Sequence, residues 1–177
     1  MKLKRNFFEK DTLEVARNLL GKIICRKMDR KVFKGRIVET EAYIGEDDKA
    51  CHARFGKTER TKIMYGVAGH AYIYLCYGIH YLLNIVTERN DFPAAVLIRR
   101  IEPIERRGDY KNYGPGNLTK YLNIDKSLNG EDITASKTLW IEDDGFGIDN
   151  RNLRKGERVG VGYAREYAKK LWRFWIE

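Results

Sequence analysis

The stretch Gly35-Arg36-Ile37-Val38-Glu39-Thr40-Glu41-Ala42-Tyr43 places two carboxylates and a phenol at every second position. Successive side chains of a strand point to opposite faces, so this alternation predicts Ile37, Glu39, Glu41 and Tyr43 on one face, with the two carboxylates about 7 Å apart. Two like charges that close, beside an aromatic ring, raise the pKa of one of them and make a general base. The plainer reading is a face wetted by solvent, and on residue pattern alone that reading is favoured.

Tyr77 is the second candidate. Tyr72, Tyr74 and Cys76 alternate with Ala71, Ile73 and Leu75 and run into Tyr77-Gly78, where the strand must turn. Tyr77 then projects from a hairpin tip, with Tyr74 further back. The ring can fold onto its own sheet as cross-strand packing, the commoner use of hairpin tyrosines. It can instead act as a wedge in a base stack, in a protein that holds an extruded base in an aromatic pocket.

The elements that would carry these residues follow from periodicity. Asp11-Thr12-Leu13-Glu14 is a capping-type start, and Leu13, Ala16 and Leu20 continue at helical spacing until Gly21. Strands are expected at 22–26, 32–43, 70–76, 79–86 and 94–101, with shorter ones at 139–141 and 172–176. Residues 45–62 read as a long polar surface loop and 143–158 as another, rich in Gly, Asp and Arg. Gly114-Pro115-Gly116-Asn117 introduces a helix over 118–122, and a basic helix is expected over 164–171. Sheet dominates the first two thirds, and no repeat or Pro-rich linker divides the chain.

The 177 residues, 43% of them apolar, are the size of one ordinary domain, and the net charge is +9. That charge is uneven: residues 1–36 hold 12 basic against 4 acidic side chains, and residues 151–177 hold 8 against 3. A basic rim around a more acidic centre suits a polyanionic partner, and equally a soluble protein that happens to be basic. Three widely spaced cysteines, without a Cys-x-x-Cys pair and with only three histidines, match neither a disulfide framework nor a zinc site. A reducing compartment and no structural metal are expected. No signal-length apolar run follows the basic start and no stretch is long enough to span a bilayer, so a cytosolic protein is expected.

Taken together, GRIVETEAYIG at 35–45, Cys51-His52, Arg60-Thr61, Met64, AGHAYIY at 68–74, Tyr77-Gly78, Asn84-Ile85 and AVLIRRIEP at 95–103 resemble the alkyladenine (3-methyladenine, N-methylpurine) DNA glycosylase family. Gly114-Pro115 with Leu118, IDKS at 124–127 and RVGVG at 158–162 continue the likeness over nearly the whole chain. Each motif is weak by itself; their order and spacing are specific. The turn Ala68-Gly69-His70 departs from the Pro-Gly-Thr type of some relatives.

The resemblance implies an α+β, sheet-dominated fold over residues 1–177: one domain with a curved antiparallel, partly barrel-like β core, similar to a formyltransferase C-terminal domain, and flanking helices. It implies a monomeric enzyme acting on double-stranded DNA with damaged purines, needing no cofactor, metal or membrane, that flips an alkylated or deaminated purine and hydrolyses its N-glycosidic bond. Position by position, Glu41 resembles the general base, with Arg99 near the water and the phosphate backbone. Tyr43 and Tyr74 resemble the pair that sandwiches the base, with His52 completing the pocket. Asn84 matches the position against the purine two-position that discriminates against guanine. Tyr77 matches the residue that fills the gap in the duplex, flanked by Met64. Two other readings remain beside it: a catalytically silent DNA-binding module using the same rim and wedge, and a carbohydrate- or RNA-directed hydrolase pairing Glu39 with Glu41.

Overall fold

The computed structural model describes residues 1–105 and 113–177. Two short helices open the chain, α1 (Arg5–Phe8) and α2 (Thr12–Asn18). Asp11 caps α2 as its sequence suggests, its side chain accepting from the amides of Leu13 and Glu14. Strands β1 (Ile23–Met28), β2 (Lys31–Ile44), β3 (Ala71–Cys76), β4 (His80–Val86) and β5 (Ala94–Pro103) follow. Helix α3 (Pro115–Tyr121) precedes β6 (Leu139–Glu142), β7 (Leu153–Gly156) and β8 (Arg173–Ile176). The strands form one curled, half-barrel antiparallel sheet in the order β3-β4-β5-β2-β1-β6, with β8 also paired to β2 and β7 to β8.

The fourteen-residue β2 is the spine of this sheet. On one side it runs along β5; on the other it pairs with β1 up to Arg36 and then with β8 from Glu39. At this change of partner both β2 and β5 slip: Ile37 opposes Ile101, Glu39 opposes Arg100 and Thr40 opposes Ile98, leaving Val38 and Arg99 as the extra residues. Such bulges increase local twist and re-aim side chains. Ile37 therefore lies in the main core with Ala42, and not on the face of Glu39, Glu41 and Tyr43 as strict alternation predicts.

That core fills one face of the sheet. Ile73, Leu83, Ile85, Val96, Ile98 and Ile101 pack there against Ala16, Leu19 and Leu20 of the α2 region, Leu118 of α3 and Leu122, which caps it. The 45–62 segment covers part of the opposite face. Together with residues 63–65 it is structured by two 3-10 turns, His52–Phe55 and Lys62–Tyr65, and buries Cys51, Ala53, Met64 and Tyr65 against Tyr72, Val86 and Ala95. Burial explains the order of this nominally polar loop.

Two local expectations are corrected and one element is added. Strand β7 lies inside the segment expected to be loop, because it has the edge of β8 to pair with. Residues 162–169 form 3-10 turns interrupted at Ala164 and Arg165, where Arg165 has φ of 51°, in place of a basic α-helix. Helix α1, four residues long, is too short to leave a periodic signal in the sequence.

Candidate active site

Where the 45–62 segment leaves the sheet uncovered, a cavity of about 540 Å3 opens, within the ~300–1,000 Å3 usual for small-molecule sites. Its floor is one register row across four strands: Tyr72 of β3 opposes Asn84 of β4, which opposes Leu97 of β5, then Glu41 of β2; the row continues outside the cavity to Arg173 of β8. Glu41, Arg99, Tyr43, His52, Tyr74, Asn84, Tyr77 and Met64, the eight positions singled out from the sequence, all reach its walls.

Glu41 is wholly buried, with a partner on each carboxylate oxygen. The Tyr43 hydroxyl donates to Oε2 at 2.8 Å, the Val159 amide donates to Oε1 at 2.8 Å, and Arg99 Nε stands 3.4 Å from Oε1. Burial pushes this carboxyl above its ordinary range, the neighbouring Glu39 adds to that, and Arg99 with the two hydrogen bonds opposes it. A solvated face is thereby excluded for Glu41. Glu39 is different: Arg99 donates to it at 3.1 Å and Arg173 at 3.0 Å, with Arg100 at 3.6 Å, so three guanidiniums hold it. Arg99 reaches both carboxylates because it is the extra residue of the β5 bulge.

The aromatic wall is interlocked. His52 Nδ1 lies 2.9 Å from the Tyr72 hydroxyl, and the His52 ring meets Tyr74 edge-on with centroids 4.5 Å apart. Arg60 stands over the Tyr74 ring at 5.1 Å. Burial, helped by Arg60 and Arg54, pushes His52 down to about 4, so the imidazole is neutral at pH 7. Burial also raises Tyr43 and Tyr74, keeping both phenols protonated. Asn84, 3% exposed, donates from Nδ2 to the Tyr72 carbonyl at 3.2 Å.

Tyr77 is 90% exposed, which rules out packing onto its own sheet. It sits at the tip of the β3–β4 hairpin with φ of 50°, followed by Gly78 at 70°. The left-handed region costs a tyrosine roughly 1–2 kcal/mol, a strain held in place by the paired strands below. Exposed Leu75 and Ile79 accompany it, giving the tip an apolar crest. Met64, expected to flank Tyr77, lines the same cavity but is 2% exposed and buried in the cluster with Tyr72, whereas Ile79, two residues beyond Tyr77 at the turn, is 68% exposed.

Sequence reading also missed Asp48 and Arg158, a fully buried, bidentate ion pair with contacts of 2.6 and 2.8 Å. They stand 110 positions apart, and neither a polar loop nor a Gly-rich motif announces a buried charge. Among the described residues no group of three or more His, Cys, Asp or Glu side chains gathers as a metal site, and no helix is long and apolar enough to cross a membrane.

Comparison with known proteins agrees with the motifs. The model of the family described as methylpurine-DNA glycosylase (MPG) matches residues 6–177. Proteins named "Putative 3-methyladenine DNA glycosylase" are similar over almost their full length. That of Methanocella arvoryzae is 46% identical over 185 residues, covering 98% of this chain and 91% of the relative. That of Natranaerobius thermophilus is 42% identical, covering 99% and 96%. That of Legionella pneumophila strain Corby is 46% identical, covering 99% and 94%.

Proposed function

Because the chain belongs to the methylpurine-DNA glycosylase family, we propose that it is a monofunctional glycosylase that flips alkylated or deaminated purines out of duplex DNA and hydrolyses their N-glycosidic bond. The observation that carries this reading is the wholly buried Glu41 at the floor of an aromatic-walled cavity, beside a hairpin that presents Tyr77 to solvent.

The chemistry fits the groups present. A purine methylated at N3 or N7 is cationic, so the C1′–N bond is already weakened; its electron pair leaves with the base, which departs neutral. Positive charge develops on the sugar, where the ionised Glu41 stabilises it. A water held against Glu41 adds its oxygen to C1′ and gives its proton to the carboxylate. Arg99 favours the charged form of Glu41 from 3.4 Å and keeps Glu39 occupied, so that one carboxylate is left for the reaction. With water as nucleophile the product is an abasic site, without a Schiff base or strand cleavage.

Tyr43, Tyr74 and the neutral His52 form the base pocket, and Asn84 limits what fits against the purine two-position. Tyr77, with Ile79 at its side, replaces the extruded nucleotide in the stack, offsetting an unstacking cost of a few kcal/mol. The basic flanks hold the phosphate backbone, and the chain acts as a monomer and a single unit over residues 1–177.

Duplex oligonucleotides carrying one defined lesion each, 3-methyladenine, 7-methylguanine, hypoxanthine or etheno-adenine, test this reading. Free base and alkali-labile abasic sites are expected from at least one. Binding without release from any of them would instead mark a silent damage-recognising protein.

A further inference from the structure

Arg158 has no route to solvent and uses its guanidinium on three elements at once. It pairs with Asp48 through both terminal nitrogens, donates to the Ala42 carbonyl on β2 at 2.9 Å and to the Tyr167 carbonyl at 3.2 Å. Its Cζ stands over the ring of Tyr43, at 4.8 Å, and over that of Trp172, at 4.9 Å. Asp48 in turn accepts the amides of Ile44 and Ala50, fixing the chain as it leaves β2. The next residue after Arg158 is Val159, whose amide holds Glu41 Oε1; the ring beneath Arg158 is Tyr43, whose hydroxyl holds Oε2. Both donors to Glu41 besides Arg99 are thus anchored by one ion pair.

We propose that the Asp48–Arg158 pair positions the catalytic carboxylate, holding the Val159 amide and the Tyr43 hydroxyl on Glu41 so that Glu41 stays ionised and aimed into the cavity. The proposal rests on the reading of Glu41 as the base. A pair kept for stability alone would be an odd choice, since a buried ion pair often stabilises no better than apolar residues of equal volume. Instead the Arg158 guanidinium lies over the Tyr43 ring and its backbone leads directly into Val159, the two hydrogen-bond donors to Glu41 besides Arg99. The charged and titratable groups facing Glu41 are Arg99 from β5, Glu39 and Tyr43 from β2, Tyr74 from β3 and Arg158 itself; Arg173 of β8, opposite in register, is engaged with Glu39. Loosening Arg158 removes favourable partners from the ionised form and leaves the like charge of Glu39 in place.

The test is the pH profile of single-turnover base release, from pH 5 to 9, on the lesion that the unaltered protein releases fastest. Arg158→Lys keeps the charge but not the bidentate fork, and Asp48→Asn keeps the shape but not the charge. Losing a hydrogen bond to a charged group should raise the acid limb by about one pH unit, a loss of roughly ten-fold below the limb that narrows toward alkaline pH. Thermal midpoint and lesion-DNA binding are recorded on the same samples. An acid limb that coincides with that of the unaltered protein, however much the rate or midpoint has fallen uniformly, overturns the proposal. Should neither variant fold, Val159→Pro removes the amide donor and leaves the ion pair intact, and the same criterion applies to it. Glu41→Gln is run in parallel: retained base release would overturn the reading of Glu41 itself, whereas an inactive Glu41→Gln with an unmoved limb in the other variants overturns the positioning role alone.

Discussion

Asn84 donates its side-chain amide to the main-chain carbonyl of Tyr72, the residue directly opposite it on the neighbouring strand. The bond ties the side chain to the sheet, in the floor of the cavity, which on the proposed function sets it against a base with a two-amino group. Rejection by a fixed group suits a repair enzyme, because normal guanine vastly outnumbers its damaged relatives. Asn84→Ser should raise release of normal guanine relative to hypoxanthine, at a cost of about 1 kcal/mol for the lost hydrogen bond. Guanine release, hypoxanthine release and thermal midpoint on one preparation decide it; a uniform loss that follows the midpoint would assign Asn84 to structure only.

The two carboxylates of β2 should separate under mutation. Glu41→Gln removes the base while keeping shape, and should slow single-turnover release about a thousand-fold with lesion binding retained. Glu39→Gln leaves Arg99, Arg100 and Arg173 facing one another, and its main effect should be a lowered midpoint with a milder kinetic loss. The opposite ranking of the two rates would exchange their roles.

Removing the Tyr77 ring should cost function without costing stability. The residue is 90% exposed, and such surface substitutions change stability by about 0.5 kcal/mol or less. Tyr77→Ala should therefore unfold at the same temperature as the unaltered protein. It should release a base from well-paired duplex much more slowly than the same base from a mispaired or single-stranded site, where little unstacking is needed. Equal losses on both substrates would count against the wedge.

His52 should make the protein acid-sensitive. Its folded pKa, about 4, lies below the ordinary 6.5, so between these values the unfolded chain binds more protons than the folded one. Stability then rises with pH across that window and is lost as pH falls through it, by at most about 3 kcal/mol for this group. Urea titrations from pH 4 to 7 on the unaltered protein and on His52→Gln measure the slope. It should flatten in the variant, and an unchanged slope would place the acid sensitivity elsewhere.

A same-face Glu39, Glu41 and Tyr43, an aromatic hairpin turning at Tyr77, a capped helix beginning at Asp11 and a sheet-dominated domain could all be read from the linear order of residues. They rest on local rules: strand alternation, turn chemistry and capping act within a few residues, so their signals are complete in the sequence. The ordered set of motifs added the family. Only the tertiary structure decided whether the carboxylates of β2 were wet or buried, because that depends on the 157–161 segment closing over Glu41, which no strand pattern contains. It moved Ile37 to the core, since β2 and β5 slip in register where β2 exchanges β1 for β8, a pairing between distant parts of the chain. It buried Met64 against Tyr72 and left Ile79 exposed at the turn, a matter of which apolar side chain finds a partner to pack against. And it joined Asp48 to Arg158, two charges that read as solvated until folding removed the water from around both and left each as the other's counter-ion.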